Sequence, residues 1–235
     1  EDLAIFFAGW QGKARPQIAR ARAAIFAGNH GVTVHGVSAF PSSVTAQMVA
    51  NFANGGAAIN ALSGAAGLEL TVVALDLDRP TADFTVDAAM SEADCLDALN
   101  RGAAVVDADL DLIVLGEMGI GRIGGREIAA IAGAVVCARQ LGVPVLLDGF
   151  ICTSAIAPLA AENPAIADHC IAGHCSAEPG HTRLLDLLGL APLLSLDMRL
   201  GEGSGAAVAA NIVRSALAAH DQMATFAEAQ VSASL

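Results

Sequence analysis

The sequence predicts an α/β domain of the doubly wound, Rossmann-like type, with a mostly parallel six-stranded sheet and a small helical lobe at the amino terminus. Short runs rich in Val, Ile and Leu recur along the 235 residues, and segments with helical spacing separate them. The runs are continuously apolar rather than alternating, which indicates strands covered on both faces and hence a parallel sheet. Strand–helix alternation of this kind is typical of doubly wound folds.

Six of the apolar runs are predicted strands: residues 23–27, 70–75, 112–115, 143–147, 170–172 and 193–196. Four long helices are predicted between and after them, over residues 44–63, 91–105, 127–141 and 204–220. Ser91 followed by Glu92 and Asp94 is a typical helix start. Residues 1–20, which have an amphipathic pattern with Arg and Gln, are expected to form a helical lobe or a subunit contact, and residues 21–235 the α/β catalytic domain.

Composition and charge exclude several classes of function. The chain has 24 acidic and 12 basic residues, a formal charge of −12 and a single lysine, Lys13. Nucleic acids and anionic membranes require a basic surface, so neither is an expected partner. The stretch from Arg22 to Glu69 has no charge between its ends, but Asn, His, Pro and Gly interrupt it before about 20 apolar residues accumulate.

Five cysteines without any C-x-x-C spacing are typical of free thiols in a reducing compartment. We therefore expect the protein in the cytoplasm. The hydrophobic fraction of 54% is too high for a disordered chain, so the sequence predicts a packed core.

Ligands of open parallel sheets bind outside the carboxyl ends of the strands, so the segments that follow the predicted strands are the candidates for chemistry. The six segments are residues 28–31, 76, 116–121, 148–150, 173–181 and 197–205. All of them except residue 76 place glycine beside a histidine or a carboxylate. Several such segments at one sheet edge predict a ligand cleft.

Residues 116–121 read G-E-M-G-I-G, a weak form of a phosphate-binding loop. The G-K-[ST] ending of a nucleoside-triphosphate loop is absent. With one lysine in the chain, a bound phosphate would depend on backbone N–H groups, a helix start and arginines such as Arg122 and Arg126.

Glycines flank Glu202 in the segment G-E-G-S-G, which suits a backbone that a ligand approaches closely. The side chain of Glu202 could act there as a general base. The alternative interpretation is an ordinary helix start, with Ser204 as the cap and Glu202 favoured by the helix dipole.

His174, His181, Cys175 and Glu178 together suggest a metal site, but their spacing matches no known ligand pattern. We therefore predict neither a metal nor another cofactor. Phe40-Pro41, followed by Gln47, could line the pocket of an aromatic ligand, or simply begin a helix.

Nine motifs follow one another along the chain and carry a resemblance. They are F-A-G-N-H-G-V at 26–32, G-V-S-A-F-P at 36–41, V-T-A-Q-M-V at 44–49, N-G-G-A-A-I-N at 54–60, G-E-M-G-I-G at 116–121, L-D-G-F at 147–150, G-H-C-S-A-E-P-G-H at 173–181, R-L-G-E-G at 199–203 and M-A-T-F at 223–226. Through them, the chain resembles the nicotinate-nucleotide–dimethylbenzimidazole phosphoribosyltransferase family over nearly its whole length.

The resemblance implies a reaction in which a nitrogen of the base attacks C1′ of nicotinate mononucleotide. Nicotinate leaves, the linkage inverts from β to α, and α-ribazole 5′-phosphate forms. It implies Glu202 as the general base, Glu117 as a second site carboxyl, and a homodimer. It also implies base-binding by Ser38, Phe40 and Gln47. The implied nucleotide- and phosphate-binding residues are Gly116, Met118, Gly119, Gly121, Gly173, Ser176, Leu200, Gly201 and Gly203.

The chain departs from the family at several positions. Asn29 stands where the family usually has Asp, and Phe40 where a Tyr is common. After Gly121 the family continues into Asn-Thr-Thr and a long segment with a phosphate-binding lysine, whereas Arg122 follows here at once. A shorter abridgement falls near residues 75–80. We expect the 235 residues to be the ordered parts of a longer chain, from which mobile active-site loops have been omitted.

Two other functions stay open. One is a phosphoribosyltransferase of the same fold that acts on another azole or a purine. The other is a non-catalytic module that binds an activated riboside or a nucleotide.

Overall fold

The structure is a computed structural model that describes residues 1–120 and 125–232. Its strands are β1 (Ala21–Asn29), β2 (Glu69–Ala74), β3 (Leu112–Ile120), β4 (Val145–Leu147), β5 (Cys170–His174) and β6 (Pro192–Leu194). Its α-helices are α1 (Asp2–Gln11), α2 (Ser43–Ala53), α3 (Ala58–Ala66), α4 (Glu92–Ala103), α5 (Arg126–Leu141), α6 (Phe150–Glu162), α7 (His181–Leu188) and α8 (Ser204–Gln222). Short 3₁₀ turns span Gly31–His35 and Pro164–Ala167.

The six strands form one sheet in the order β2-β1-β3-β4-β5-β6, and every pairing is parallel. This confirms the predicted doubly wound α/β class. The chain moves outward from β1 to β2 and then crosses to the other side of β1 for β3. The direction of winding therefore reverses between β1 and β3, where open sheets of this type have a crevice for ligands.

Side chains from successive strand positions fill two cores, one on each face of the sheet. Ile25 of β1 packs with α3 and α8 on one face, whereas its neighbour Phe26 packs with α5 and α6 on the other. Phe7 of α1 is fully buried in the first of these cores. The division of the chain at residue 20 stays a prediction. No helix within residues 1–120 and 125–232 is long and apolar enough to span a bilayer.

Most predicted elements differ from the observed ones by a few residues at their ends, and two differ more substantially. The helix predicted over residues 44–63 is two helices, α2 and α3, because Gly55 between them adopts φ = 75°. The strand predicted over residues 112–115 continues to Ile120, since β1 and β3 pair from Ala21↔Leu112 to Asn29↔Ile120. Residues 116–120 are therefore strand and not the predicted loop.

Candidate active site

A cleft lies at the carboxyl edge of the sheet, beside the reversal between β1 and β3, and its space of about 780 Å³ includes open solvent at its mouth. Its wall is formed by β3 and β5, by the segments after β1, β4, β5 and β6, and by the first turns of α5 and α6. The lining residues are His30, Glu117, Gly119, Glu127, Asp148, Gly149, Phe150, Ile151, Cys152, His174, Ser176, Glu178, Arg199, Leu200 and Gly201.

Glu117 reaches this cleft from β3. The backbone N–H of Gly119 donates to its Oε2 at 2.8 Å. Removal of the carboxyl from water raises the pKa of Glu117 to about 8, and the negative charges of Glu127 and Asp148 act in the same direction. Glu117 is consequently protonated at neutral pH, so it can donate a hydrogen bond.

Glu202 occupies an unusual backbone segment between β6 and α8. Gly201, Glu202 and Gly203 have φ values of 79°, 63° and 77°, in the left-handed region that side chains other than glycine rarely adopt. A non-glycine residue held in this way is strained, and such strain clusters at functional sites. The backbone N–H of Glu202 donates to the carbonyl oxygen of Glu117 at 3.2 Å, so the segment is tied to β3.

Gly116 allows the segment to lie directly on β3. A methyl group on Gly116 would lie 2.5 Å from the nitrogen of Gly203, too close for any real side chain. A glycine inside a strand is typical of such a close approach between two backbones.

The side chain of Glu202 turns away from the cleft toward α3 and is only 7% exposed. Its carboxylate accepts a hydrogen bond from the backbone N–H of Ile59 in the first turn of α3, while its Oε2 is buried and has no hydrogen-bond partner within residues 1–120 and 125–232. Loss of hydration raises the pKa of Glu202 above its ordinary value. A carboxylate with a free oxygen and a raised pKa is well suited to accept a proton near neutral pH.

Asp148, which follows β4, caps the amino terminus of α8. Its Oδ2 accepts from the backbone N–H of Gly203 at 3.2 Å, and its Oδ1 accepts from that of Ala206 at 2.9 Å. Nε2 of His174 lies 3.3 Å from the same Oδ1. A carboxylate at this position is favoured by the helix dipole and fixes α8 against the sheet edge.

His181 holds Ser176 at the cleft wall. Its Nδ1 accepts from the backbone N–H of Ser176 at 2.8 Å and lies 2.9 Å from the Ser176 hydroxyl. Nε2 of His181 lies 3.1 Å from Oγ1 of Thr153, which itself donates to the carbonyl oxygen of Gly149. Burial lowers the pKa of His181 to about 4. The ring is thus neutral at pH 7, with its proton on Nε2.

The structure brings only part of the predicted site together in this cleft. Five predicted residues line it: Glu117, Gly119, Ser176, Leu200 and Gly201. Gly116, Gly173 and Gly203 lie beneath it in close backbone packing, and a side chain on Gly173 would collide with Ala206 of α8. Met118 faces the core on the side of α2 and α3.

The predicted base-binding residues also lie outside the lining of the cleft. Phe40 and Gln47 are exposed, and Ser38 accepts a hydrogen bond from the backbone N–H of Phe40 at 3.2 Å. Gly121 and Arg122 lie outside the described residues. Arg126 is buried, and its guanidinium donates to the carbonyl oxygen of Arg79.

Glu127 is a cleft residue that sequence reasoning missed. It is the first residue of the helix predicted over residues 127–141 and belongs to none of the motifs described above. The signal was available, because α5 is almost entirely apolar after Glu127 until Cys137. A carboxylate at the start of such a buried helix is itself buried, and a buried carboxylate calls for a partner.

The chain is similar to known proteins of one family in both sequence and fold. The family model described as "Phosphoribosyltransferase" matches residues 1–123 and 122–231. Nicotinate-nucleotide–dimethylbenzimidazole phosphoribosyltransferase from Novosphingobium aromaticivorans is 57% identical over 290 aligned residues, covering 99% of this chain and 86% of the relative. The protein of that name from Mesorhizobium japonicum is 49% identical, with the same coverage.

A solved structure has the same fold. The crystal structure of nicotinate-nucleotide–dimethylbenzimidazole phosphoribosyltransferase from Thermus thermophilus superposes with a TM-score of 0.93 at 32% identity. It covers all of this chain, which in turn covers 92% of that structure. The chain therefore belongs to the nicotinate-nucleotide–dimethylbenzimidazole phosphoribosyltransferase family.

Proposed function

We propose that this chain transfers the phosphoribosyl group of nicotinate mononucleotide to 5,6-dimethylbenzimidazole, with inversion at C1′, giving α-ribazole 5′-phosphate and nicotinate. The observation that carries the proposal is the backbone hydrogen bond between Glu202 and Glu117, next to the point where the winding of the sheet reverses, in a chain of this family. The Glu117 carboxyl lies in the cleft, and the Glu202 carboxyl lies on the opposite side of the strained segment.

The reaction requires one base and no acid. The glycosidic nitrogen of nicotinate mononucleotide is positively charged and becomes neutral when the bond to C1′ breaks. The attacking benzimidazole must lose its N–H proton. Glu202, with a raised pKa and an unpartnered oxygen, is the carboxylate suited to take that proton.

The alternation of side chains along β3 supports separate places for the two substrates. Glu117 and Gly119 face the cleft, whereas Met118 faces the side of α2 and α3, where Glu202 also points. We assign the nucleotide to the cleft and the base to the side of Glu202, Phe40 and Gln47. A base that approaches C1′ from the side opposite to the leaving nicotinate inverts the linkage.

Three features of the cleft suit the anionic groups of the nucleotide. Arg199 supplies a permanent positive charge, and Ser176 supplies a hydroxyl. The first turn of α6, from Phe150 to Cys152, also lines the cleft with backbone N–H groups that have no partner within the helix. In this proposal, Gly116, Gly173 and Gly203 do not contact the nucleotide themselves. They allow the close backbone packing that supports the anion-binding groups of the cleft.

The decisive test is turnover with nicotinate mononucleotide and dimethylbenzimidazole, followed by chromatography and NMR for the α-riboside. We expect equal amounts of nicotinate and α-ribazole 5′-phosphate. Parallel reactions with benzimidazole and adenine measure base preference, and a faster reaction with adenine would favour the purine alternative. Binding of the nucleotide without any release of nicotinate would contradict the proposal and favour a binding module.

We also infer that a segment is missing after Gly121. The family model matches in two sections that meet at residues 122–123, and the alignment with the Novosphingobium relative extends over 290 positions against 235 residues here. An intact mass above 23.6 kDa for the purified protein is the expected result. A mass equal to that value would instead indicate a divergent enzyme without the segment.

Finally, we propose a cytoplasmic homodimer. All five cysteines lie in the described part of the chain and are unpaired, which suits a reducing compartment. Large apolar side chains such as Ile5 and Phe226 are exposed, which suits a subunit contact. Analytical ultracentrifugation tests the dimer, and a single species at the monomer mass would contradict it.

A further inference from the structure

Glu127 and His30 form a buried pair in the wall of the cleft. Glu127 lies in the first turn of α5, and His30 directly follows β1. Nε2 of His30 lies 2.7 Å from Oε1 of Glu127, and the two side chains are 2% and 1% exposed. The reaction described above uses neither of them.

Three glycines around the pair have no space for a side chain. A methyl group on Gly125 would overlap both His30 and Glu127, and a methyl group on Gly28 would overlap Oε2 of Glu127. A methyl group on Gly119 would lie 3.2 Å from His30 and 3.4 Å from both Glu117 and Glu127. The pair is therefore held in one place by three glycines from β1, β3 and the start of α5.

Glu127 brings a second carboxylate close to Glu117. Its Oε1 contacts His30, but its Oε2 is buried with no hydrogen-bond partner among the residues that the structure describes. A methyl group added to Gly119 would contact Glu117, Glu127 and His30 at once, so the three side chains surround the same small space. Two carboxylates enclosed at such short range cannot readily both be ionised.

We propose that Glu127, held by His30, is a positioning residue that keeps the carboxyl of Glu117 protonated, so that Glu117 donates a hydrogen bond to the bound nucleotide while Glu202 alone accepts the proton of the base. The inference depends on the proposed function for its substrate. Nicotinate mononucleotide carries a carboxylate and a phosphate, which a neutral Glu117 can bind by donation and an ionised Glu117 would repel.

Other charged groups also face the Glu117 carboxyl, and their effects have different signs. Asp148, after β4, adds to the effect of Glu127, whereas His30, after β1, opposes it when protonated. The remaining titratable groups of the cleft are His174, Glu178, Cys152 and Arg199. Replacement of Glu127 by glutamine removes one negative charge and keeps the shape, so the titration of Glu117 should move to lower pH.

The test is a titration of Glu117 in the full chain without substrate, followed by the infrared band of the protonated carboxyl. E117Q identifies the band. We expect the wild-type midpoint near pH 8, and a midpoint lower by about one pH unit or more in E127Q. E92Q, which removes an exposed carboxylate from the first turn of α4, should leave the midpoint unchanged.

A wild-type midpoint in the ordinary range of glutamate would overturn the proposal, as would an unchanged midpoint in folded E127Q. If E127Q does not fold, E127D serves in its place, because it withdraws the charge by one methylene. Its midpoint should fall between the wild-type and ordinary values, and an unchanged midpoint again overturns the proposal.

A second measurement connects the pair to turnover. The alkaline limb of the pH dependence of kcat should move to lower pH in E127Q by the same amount as the titration, and an unmoved limb would overturn the role in turnover. The titration needs no substrate, so absence of α-riboside formation in the wild type would contradict the proposed function and leave the titration result standing.

Discussion

The backbone N–H of Glu202 donates to the carbonyl oxygen of Glu117 at 3.2 Å, so the two glutamates predicted from the sequence as site residues are joined main chain to main chain. Their side chains diverge from this bond, one into the cleft and the other toward α3. The spacing of the two residues' backbones is consequently fixed at β3. Rigid placement of this kind is what oriented catalysis requires.

Replacement of Glu202 by glutamine should remove the base while keeping the shape of the segment. We expect kcat to fall by about 10²- to 10⁴-fold, the usual contribution of a general base. Calorimetric titration should show nearly unchanged binding of nicotinate mononucleotide. E162Q, at the exposed end of α6, is the matched control. Near-normal turnover of E202Q would remove Glu202 from the role of base.

An alanine at position 116 should displace the strained segment, because its methyl group would lie 2.5 Å from the nitrogen of Gly203. We expect a loss of roughly 1–3 kcal/mol in the free energy of unfolding, measured in urea, and a lower kcat. G64A in α3 is the control. Its methyl group meets nothing within 4 Å, so this helix should become more stable by roughly 0.5–1 kcal/mol. Equal stabilities of G116A and the wild type would contradict the close packing.

Arg199 should contribute to binding of the nucleotide and not to binding of the base. R199M removes the permanent positive charge of the cleft wall, so the KM for nicotinate mononucleotide should rise by about tenfold or more. The KM for dimethylbenzimidazole should stay nearly the same. R183M, on the exposed face of α7, is the matched control. A rise in the KM for dimethylbenzimidazole alone would contradict the assignment of the two substrates.

The stability of the fold should depend on His181. Its pKa is about 4 in the folded chain and near 6.5 when unfolded, so between these values only the unfolded chain binds the proton. The free energy of unfolding should therefore decrease as the pH falls from 6.5 to 4, by on the order of 1 kcal/mol per pH unit.

His169, whose pKa burial lowers to about 4, contributes in the same direction. Urea titrations of H181N at several pH values should show a shallower decrease than those of the wild type. H220N, near the exposed end of α8, should reproduce the wild-type slope. A wild-type slope in H181N would show that His181 titrates normally.

Prediction from the sequence succeeded where local pattern decides the structure. The apolar runs around Ile25, Val114 and Ile171 are strands because both faces are covered, and continuous hydrophobicity shows this directly. Prediction failed where contacts between distant segments determine the structure. Residues 116–120 look like a glycine loop, but pairing with β1 makes them strand.

The candidate site shows the same limit. Loops after the strands were expected to supply its chemistry. Ser176 and Gly201 line the cleft from such loops, whereas Glu117 lines it from β3. The apolar run after Glu127 indicates that this carboxylate is buried, but not where its partner lies, because His30 is almost a hundred positions away in the chain and only the sheet brings them together.

The cap formed by Asp148 determines which helix amino terminus in the cleft can bind an anion. Three long helices, α5, α6 and α8, begin at this edge of the sheet, and each presents the positive end of its dipole. α5 carries the carboxylate of Glu127 in its own first turn. Asp148 supplies α8 with an internal counter-ion, bonded to Gly203 and Ala206. The start of α6 is left for an anion that arrives from solution. A ligand with one anionic terminus would accordingly enter in a single orientation, which the protein fixes before any substrate is present.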